Sequence, residues 1–477
     1  MKKQTMRLGA AMATLALGAG LLVSAGPAVA GAPGKWTKVS QQDVSLIAEP
    51  GLLRLDNGNL LVVYNRDQPD GDEAIGYTIV RPNGKTLAQG TVVKNWSAII
   101  SDPKPIRISD SRVAVVFSGI RTTSASSPYN SGAMYSASSG AGGGSWTLDT
   151  TSLTKSTSAY ASYGTSALTL PGGTPVVSFP LNSSITWHQG FDSSNPASAN
   201  DSSFSNGSCC LYDTKLARDS KSGETFIGWY SNGDKNGHWV RRILPTTGAM
   251  QKAPGSTDGG SSLSPDQSVA LTDRQRGGTY LAYCRGYPTC KNIALWKVGA
   301  AKAKTVPKSK GADTVAVARG PGGRLWVLWD NNSTSKIYAT STNPSVGRFG
   351  PVRTLNLPRG SSSSYRLSAE GSASRTVDVV VNNNSGLYHS QIRPGLSLSA
   401  SPRKWDGDRR TTVKFTVKDT GSPVANAQVK VAGKSDRTNG QGIAKITFGA
   451  GTRPGKYKAT ATKSGFYRGA VVLRVTR

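Results

Sequence analysis

The chain has 477 residues, 57 of them Lys or Arg against 27 Asp or Glu, for a formal charge of +30. This length exceeds what one ordinary core fills, and 55 glycines with few charged residues and no sustained helical periodicity exclude a helical bundle or coiled coil. The positive excess favours anionic partners, namely teichoic acid, acidic polysaccharide, nucleic acid or membrane surfaces, unless it simply marks a soluble secreted protein of a high-pI proteome.

Residues 1–30 read as an export signal rather than as part of the fold. Lys2, Lys3 and Arg7 form the basic start, residues 8–23 the apolar run, and Ala28, Val29 and Ala30 the cleavage site. The mature chain is expected to begin near Gly31 and to be secreted and extracellular, with cell-wall association as an extension of that reading. No later apolar run is long enough to span a bilayer, so no membrane span is expected. Four cysteines, Cys209, Cys210, Cys284 and Cys290, suit an oxidising compartment. A Cys284–Cys290 loop and two cross-links between the two regions are both open, because adjacent cysteines rarely bridge each other. Neither spacing is that of a zinc site, and no metal or cofactor is expected.

Residues 52–67, LLRLDNGNLLVVYNRD, predict a hairpin: an apolar strand, an Asp56-Asn57-Gly58 turn, and a second strand ending in Tyr64. The same pattern recurs six more times, with the second strands marked by Phe117, Phe179, Trp229, Tyr283, Trp329 and Val380. A third apolar strand follows each, for example Ile75-Gly76-Tyr77 and Ile293-Ala294-Leu295-Trp296. A repeat near fifty residues with about four strands predicts an all-β fold, a β-propeller over residues 35–395. Seven blades are favoured, with six as the alternative. The seventh unit lacks a clear fourth strand, which Lys35-Trp36-Thr37-Lys38-Val39 could supply to close the ring. The polar stretches 191–208 and 246–262 read as long loops, lids or insertions.

Residues 396–477 change character. Alternating strands such as Val413-Lys414-Phe415-Thr416-Val417, with turns about every ten residues, predict a small β-sandwich. Within it, residues 401–477 hold 17 Lys or Arg against 4 Asp or Glu.

The turn between third and fourth strands carries a family signature. Ser139 to Trp146 reads S-G-A-G-G-G-S-W and resembles the Asp-box, S-x-D-x-G-x-T-W, with Ala141 in place of the Asp. Residues 80–87 keep only Gly84 and Thr86, and residues 341–349 are a looser copy. The chain thus resembles the sialidase-like (BNR-repeat) propellers, and its tail resembles the bacterial Ig-like or carboxypeptidase-regulatory-like modules appended to secreted enzymes. In that family the tail is an accessory, for spacing or attachment.

The repeat indicates which residues meet at the ring mouth. The innermost strands open near Glu49, Asp102, Tyr163, Asp213, Asp266, Asp313 and Tyr365-Arg366. Asp and Ser also favour strand-edge turns for purely local reasons. The resemblance implies three arginines gripping a sugar carboxylate, the first in an Arg-Ile-Pro motif on the first inner strand. Here that stretch is Ala48-Glu49-Pro50, and only Arg366 is well placed. Classical sialidase activity is therefore not expected. The loop after the first unit's second strand, which carries the general-acid Asp in the family, offers Asp67 and Asp70, with Glu49 as the second carboxyl a glycosidase needs. Arg121, Tyr129, Tyr163, Arg285, Tyr287 and Arg366 are candidate sugar-binding residues, since aromatic faces stack on sugars and Arg fixes hydroxyls or acids. The three histidines, His188, His238 and His389, fall in different units and suggest no nucleophilic or metal role.

The reading that follows is a secreted propeller binding extracellular glycan, with its basic tail on an anionic wall polymer and with no nucleic-acid partner. The alternative is a glycoside hydrolase acting on a non-sialic polysaccharide through Asp67, Asp70 and Glu49.

Overall fold

The computed structural model describes residues 34–40, 48–68, 72–99, 102–120, 133–149, 164–181, 184–190, 200–205, 207, 211–232, 234–256, 269–286, 289–359, 361, 366–372, 375–383 and 385–477. Each sequence repeat forms one antiparallel sheet, and seven such sheets make a ring. Blade 1 runs Gly51–Arg54, Leu60–Asp67, Glu73–Val80 and Thr86–Trp96, from the inside outward. The innermost strands of the remaining blades are Lys104–Ser109, Ser166–Thr169, Leu211–Arg218, Ala270–Asp273, Val315–Arg319 and Arg366–Glu370. Each neighbours the next around the ring, and the last neighbours the first.

The seventh blade borrows its outermost strand. Thr37–Lys38 pairs antiparallel with Gly386–Ile392, with Thr37 opposite His389. This joins the two ends of the ring, so no blade is left with an unpaired face toward a gap.

The apolar pattern of the second strands follows from this arrangement. A second strand lies between two neighbouring blades and is covered on both faces, so it reads as a continuous apolar run. Residues Leu60 to Asn65 are all buried. Alternate side chains serve opposite neighbours. Leu60, Val62 and Tyr64 pack with Val380 and Leu387 of blade 7, whereas Leu61 and Val63 pack with Val113, Val115 and Phe117 of blade 2. Such a core recurs between every adjacent pair of blades. The ring therefore has seven thin cores in place of one central core, and no blade buries its faces alone.

The Asp56-Asn57-Gly58 turn forms as the sequence predicts. Gly58 donates to the Leu55 carbonyl at φ +80°, a conformation glycine adopts without a steric penalty, and Asn57 accepts from the Asn59 N–H. Gly76 has a different reason. The Tyr64 ring lies directly over it, 2.7 Å from where a Cβ would stand.

Two expected loops contain strands. Asn200–Ser205 is the fourth strand of blade 3, and Met250–Lys252 that of blade 4. Their composition hid them: an outermost strand needs little apolar surface. In Asn200–Ser205 one ring, Phe204, carries the packing against Trp187 and Trp229.

Beyond the ring, two further sheets face each other. One holds Ser397–Ser401, Thr411–Asp419, Ser422–Pro423 and Ile443–Phe448. The other runs Lys404–Asp406, Gly469–Thr476, Gly455–Thr462, Gln428–Val431 and Lys434–Arg437. Their alternating residues, among them Val413, Phe415, Phe448, Val429 and Leu473, form a separate core. At the junction the buried Asp419 takes Arg324 at 3.3 Å and Arg375 at 3.0 Å, both from the ring. The Arg353 guanidinium lies over the Tyr467 ring there.

Candidate functional site

The inner strands begin around a cavity of about 190 Å³ at the centre of the ring. Apolar backbone-rich segments from blades 5 and 6, including Val269, Ala270, Val315 and Ala316, form part of its wall. Its polar lining is Glu49, Lys104, Ser166, Lys215 and Ser368, from blades 1, 2, 3, 4 and 7.

These side chains form one cluster. Glu49 accepts from the Lys104 ammonium at 2.9 Å and from the Lys215 ammonium through the same oxygen. Its other oxygen accepts from the Ser368 hydroxyl at 3.3 Å. Asp102 closes the group. Its carboxylate accepts the Glu49 backbone N–H at 2.8 Å and stands 3.7 Å from Lys104. Burial opposes a charge on Glu49, but the two ammonium groups outweigh it and hold this carboxyl well below the usual range. Burial likewise opposes the Lys215 charge, and Glu49, Asp213 and Asp102 overcome it and push that ammonium above its ordinary value. Asp102 shifts the other way: burial pushes its carboxyl up despite Lys104 and Lys215. Glu49 is therefore an ionised group that accepts hydrogen bonds; with its charge stabilised by two ammonium groups it is neither a proton donor nor an effective base at neutral pH.

The acids that open the inner strands divide by task. Asp102 holds the chain just before blade 1 through the Glu49 N–H. Asp313 accepts the Asn332 N–H at 2.5 Å, holding the mouth of blade 6. These are local structural roles of the kind short acidic side chains take at strand edges. Asp266 lies outside the described residues.

The remaining sequence-predicted residues do not gather here. Asp67 ends the second strand of blade 1, exposed and opposite Glu73 in the ladder, and the turn after it is closed by the Gln68 N–H on the Asp72 carbonyl. Arg366 opens the inner strand of blade 7, half-buried and opposite Asn382. Arg285 lines a different cavity, of about 430 Å³, with Pro254, Gly255 and Lys302. Asp70, Arg121, Tyr129, Tyr163 and Tyr287 lie outside the described residues, as do Cys209 and Cys210. Cys284 and Cys290 form a disulfide across the loop that follows Arg285, which excludes cross-links from these two to the other pair. His188, His238 and His389 are buried in separate blades, and His389 meets Asp378 at 2.7 Å.

Sequence reasoning missed Lys104 and Lys215. A signal existed: Asp102-Pro103-Lys104 and Asp213-Thr214-Lys215 repeat an acid and a lysine two apart at the start of inner strands 2 and 4. Lysine lacks the planar fork that marks arginine as a carboxylate-binding residue, so at these two positions the repeat is not a distinctive signature. Ala48, where the resemblance calls for arginine, is buried and cannot bind an anion. The turn at Ser139 to Trp146 does lie between third and fourth strands. Trp146 packs its ring on Tyr77 of blade 1, whose hydroxyl donates to the Gly144 carbonyl, so this turn braces two blades.

A closed ring of antiparallel sheets, six of four strands and one of five, with a polar cluster at its mouth defines a β-propeller. No family model matches the sequence, and no curated protein matches it. Among solved structures, the chain is similar to a protein of unknown function from Dyadobacter fermentans (12% identity, TM-score 0.44, 76% of this chain and 98% of that one). It is also similar to a Hadza microbial sialidase (12% identity, TM-score 0.43, 72% of this chain and 65% of that one). A third similarity is to the polysaccharide lyase Uly1 (10% identity, TM-score 0.43, 77% of this chain and 93% of that one).

Proposed function

We propose that this protein is an exported propeller that binds extracellular glycan at its ring mouth without classical sialidase activity, and that its basic terminal sandwich tethers it to an anionic polymer. The carrying observation is the Glu49–Lys104–Lys215 cluster. The two lysines at the mouth are occupied by an internal carboxylate, so neither is left to receive the carboxylate of a sialic acid. What the mouth offers a ligand is a set of fixed hydrogen-bonding groups, Ser166, Ser368 and the Glu49 carboxylate, which suit the hydroxyls of a neutral sugar. Export is read from residues 1–30. Screening the purified protein on a glycan array and on chromogenic glycosides, a sialoside included, tests this. Binding of neutral glycans without turnover is the expected outcome, and turnover of the sialoside would overturn it.

One observation favours a second reading, hydrolysis of a non-sialic glycan. Glu49 is ionised and keeps 22% of its side chain exposed, as a glycosidase nucleophile must. The acid would then come from the loop that follows the second strand of blade 1, from Asp70 or, if that end of the strand approaches the bound glycan, from Asp67, which does not line the cavity itself. Hydrolysis of any glycoside that Asp67→Asn or Asp70→Asn abolishes would establish this reading in place of the first.

A further inference from the structure

We propose that the outer face of the five-stranded sheet in the terminal sandwich is a docking surface for a linear acidic polysaccharide. The inference rests on the tethering part of the reading above and is independent of glycan binding at the ring mouth. The strand registers decide which side chains share this face. Lys404 stands opposite Arg474, and Arg474 opposite Lys456, so three cations form a row across three strands. Two residues along, Lys458 stands opposite Val472, and farther across the sheet come Lys430 and Arg437. Neighbouring strands are about 4.8 Å apart, so the row sets its charges at a spacing a polymer of charged units can follow.

Like charges directly opposite on adjacent strands destabilise a sheet. Nothing in the fold relieves them here. All six cations are exposed, and none makes an ion pair among the described residues. The one carboxylate at the edge of the row, Asp406, is engaged by the Asp408 N–H at 2.9 Å and by Arg409 at 3.8 Å. An internal cost without internal compensation is accounted for by a partner that supplies the missing negative charge. The partner's chemistry follows from what lies between the cations. Val472, 46% exposed, sits with Ala470, Thr460 and Thr462 in a flat strip beside the row, which suits the CH face of a sugar ring. Among the described residues, no aromatic side chain lies on this face to stack a nucleic-acid base. Val472 alone is too little apolar surface to enter a bilayer.

The second sheet supplies an internal control. Its outer face carries Lys414 directly opposite Lys445, with Lys418 farther along the strand, all exposed: a pair of opposed cations, but no row across three strands and no apolar strip beside it. The test compares two triple variants of the full-length mature protein that remove the same charge from opposite faces. Binding to immobilised polygalacturonate is measured at several salt concentrations, with oligo-dT as the competing polyanion. K404Q/K456Q/R474Q is expected to weaken polygalacturonate binding about 100-fold at low salt. K414Q/K418Q/K445Q is expected to weaken it less than about threefold, the residue of long-range attraction after screening. Equal losses in the two variants, or oligo-dT binding as tight as polygalacturonate, would reduce the face to its net charge and overturn the proposal. Neutral-glycan binding on the array should be indifferent to both variants, so failure of the mouth reading is read separately.

Discussion

At the mouth of the ring, Glu49 is held by Lys104 and Lys215 and braced by Asp102, and the cluster meets its own charge. On the outer face of the terminal sheet, Lys404, Arg474 and Lys456 stand side by side, and among the described residues no carboxylate pairs with them. Both regions are rich in cations, and their physics is opposite. In the first, charge is part of the architecture: it ties four inner strands, from blades 1, 2, 4 and 7, across the central cavity. In the second, charge opposes the architecture and is retained on the surface. A basic residue in this protein is informative only once its partners are known, and the overall charge of +30 blends two populations with different work to do.

Four measurements bear on that contrast. The largest effect is expected from Glu49→Gln. It leaves two ammonium groups facing each other in a partly buried cavity, and should lower stability by about 3 kcal/mol, read as a lower urea midpoint. The same variant frees Lys104 and Lys215, so the mouth should gain affinity for small carboxylates. An unchanged midpoint would mean that the cluster does not support the ring.

Next comes Asp419→Asn at the junction between ring and sandwich. Arg324, itself largely buried, loses its carboxylate partner there, and a loss of about 2 kcal/mol is expected. The signature is earlier protease cleavage near residue 396 with the ring's own unfolding unaltered. A single concerted transition, unshifted, would show that this pair does not couple the two regions.

The pH dependence is smaller and has a definite sign. The folded-state carboxyl of Glu49 lies below its ordinary value of 4.5, so its contribution is complete above that pH and is lost as pH falls beneath it. Asp102, whose carboxyl burial pushes up, works in the opposite direction. Thermal scans between pH 6 and pH 3 should therefore show the wild type losing stability faster than Glu49→Gln, and the gap between them should narrow with acid. Parallel curves would remove Glu49 from the account.

The smallest effect is the most diagnostic for the terminal sheet. Lys456→Gln takes away one member of a like-charged row and should raise the melting temperature by about 1 °C. It should also weaken polygalacturonate binding by about fivefold. Stability gained while affinity is lost is the mark of a surface kept charged for a partner. A fall in both would assign Lys456 an internal structural role.

The sequence alone determined the repeat. Second-strand residues recur because each second strand is covered on both faces, and that requirement writes a continuous apolar run into every unit. Gly58 in its turn and Phe117, Trp229 and Trp329 in their strands are local consequences of that geometry and can be read without coordinates. The outermost strands escaped notice because an edge needs little apolar surface: Asn200–Ser205 looks like a loop until Phe204 is seen between Trp187 and Trp229. At the mouth, sequence position found Glu49 and Asp102, since both sit at a fixed offset from the inner strands. It could not find their charge state, which depends on Lys104 and on Lys215, a residue 166 positions away from Glu49 that only ring closure brings beside it. The same holds for the terminal sheet. Composition showed that residues 401–477 are basic, but register decided that Lys404, Arg474 and Lys456 form a row, because a shift of one residue in either pairing would send a cation to the opposite face.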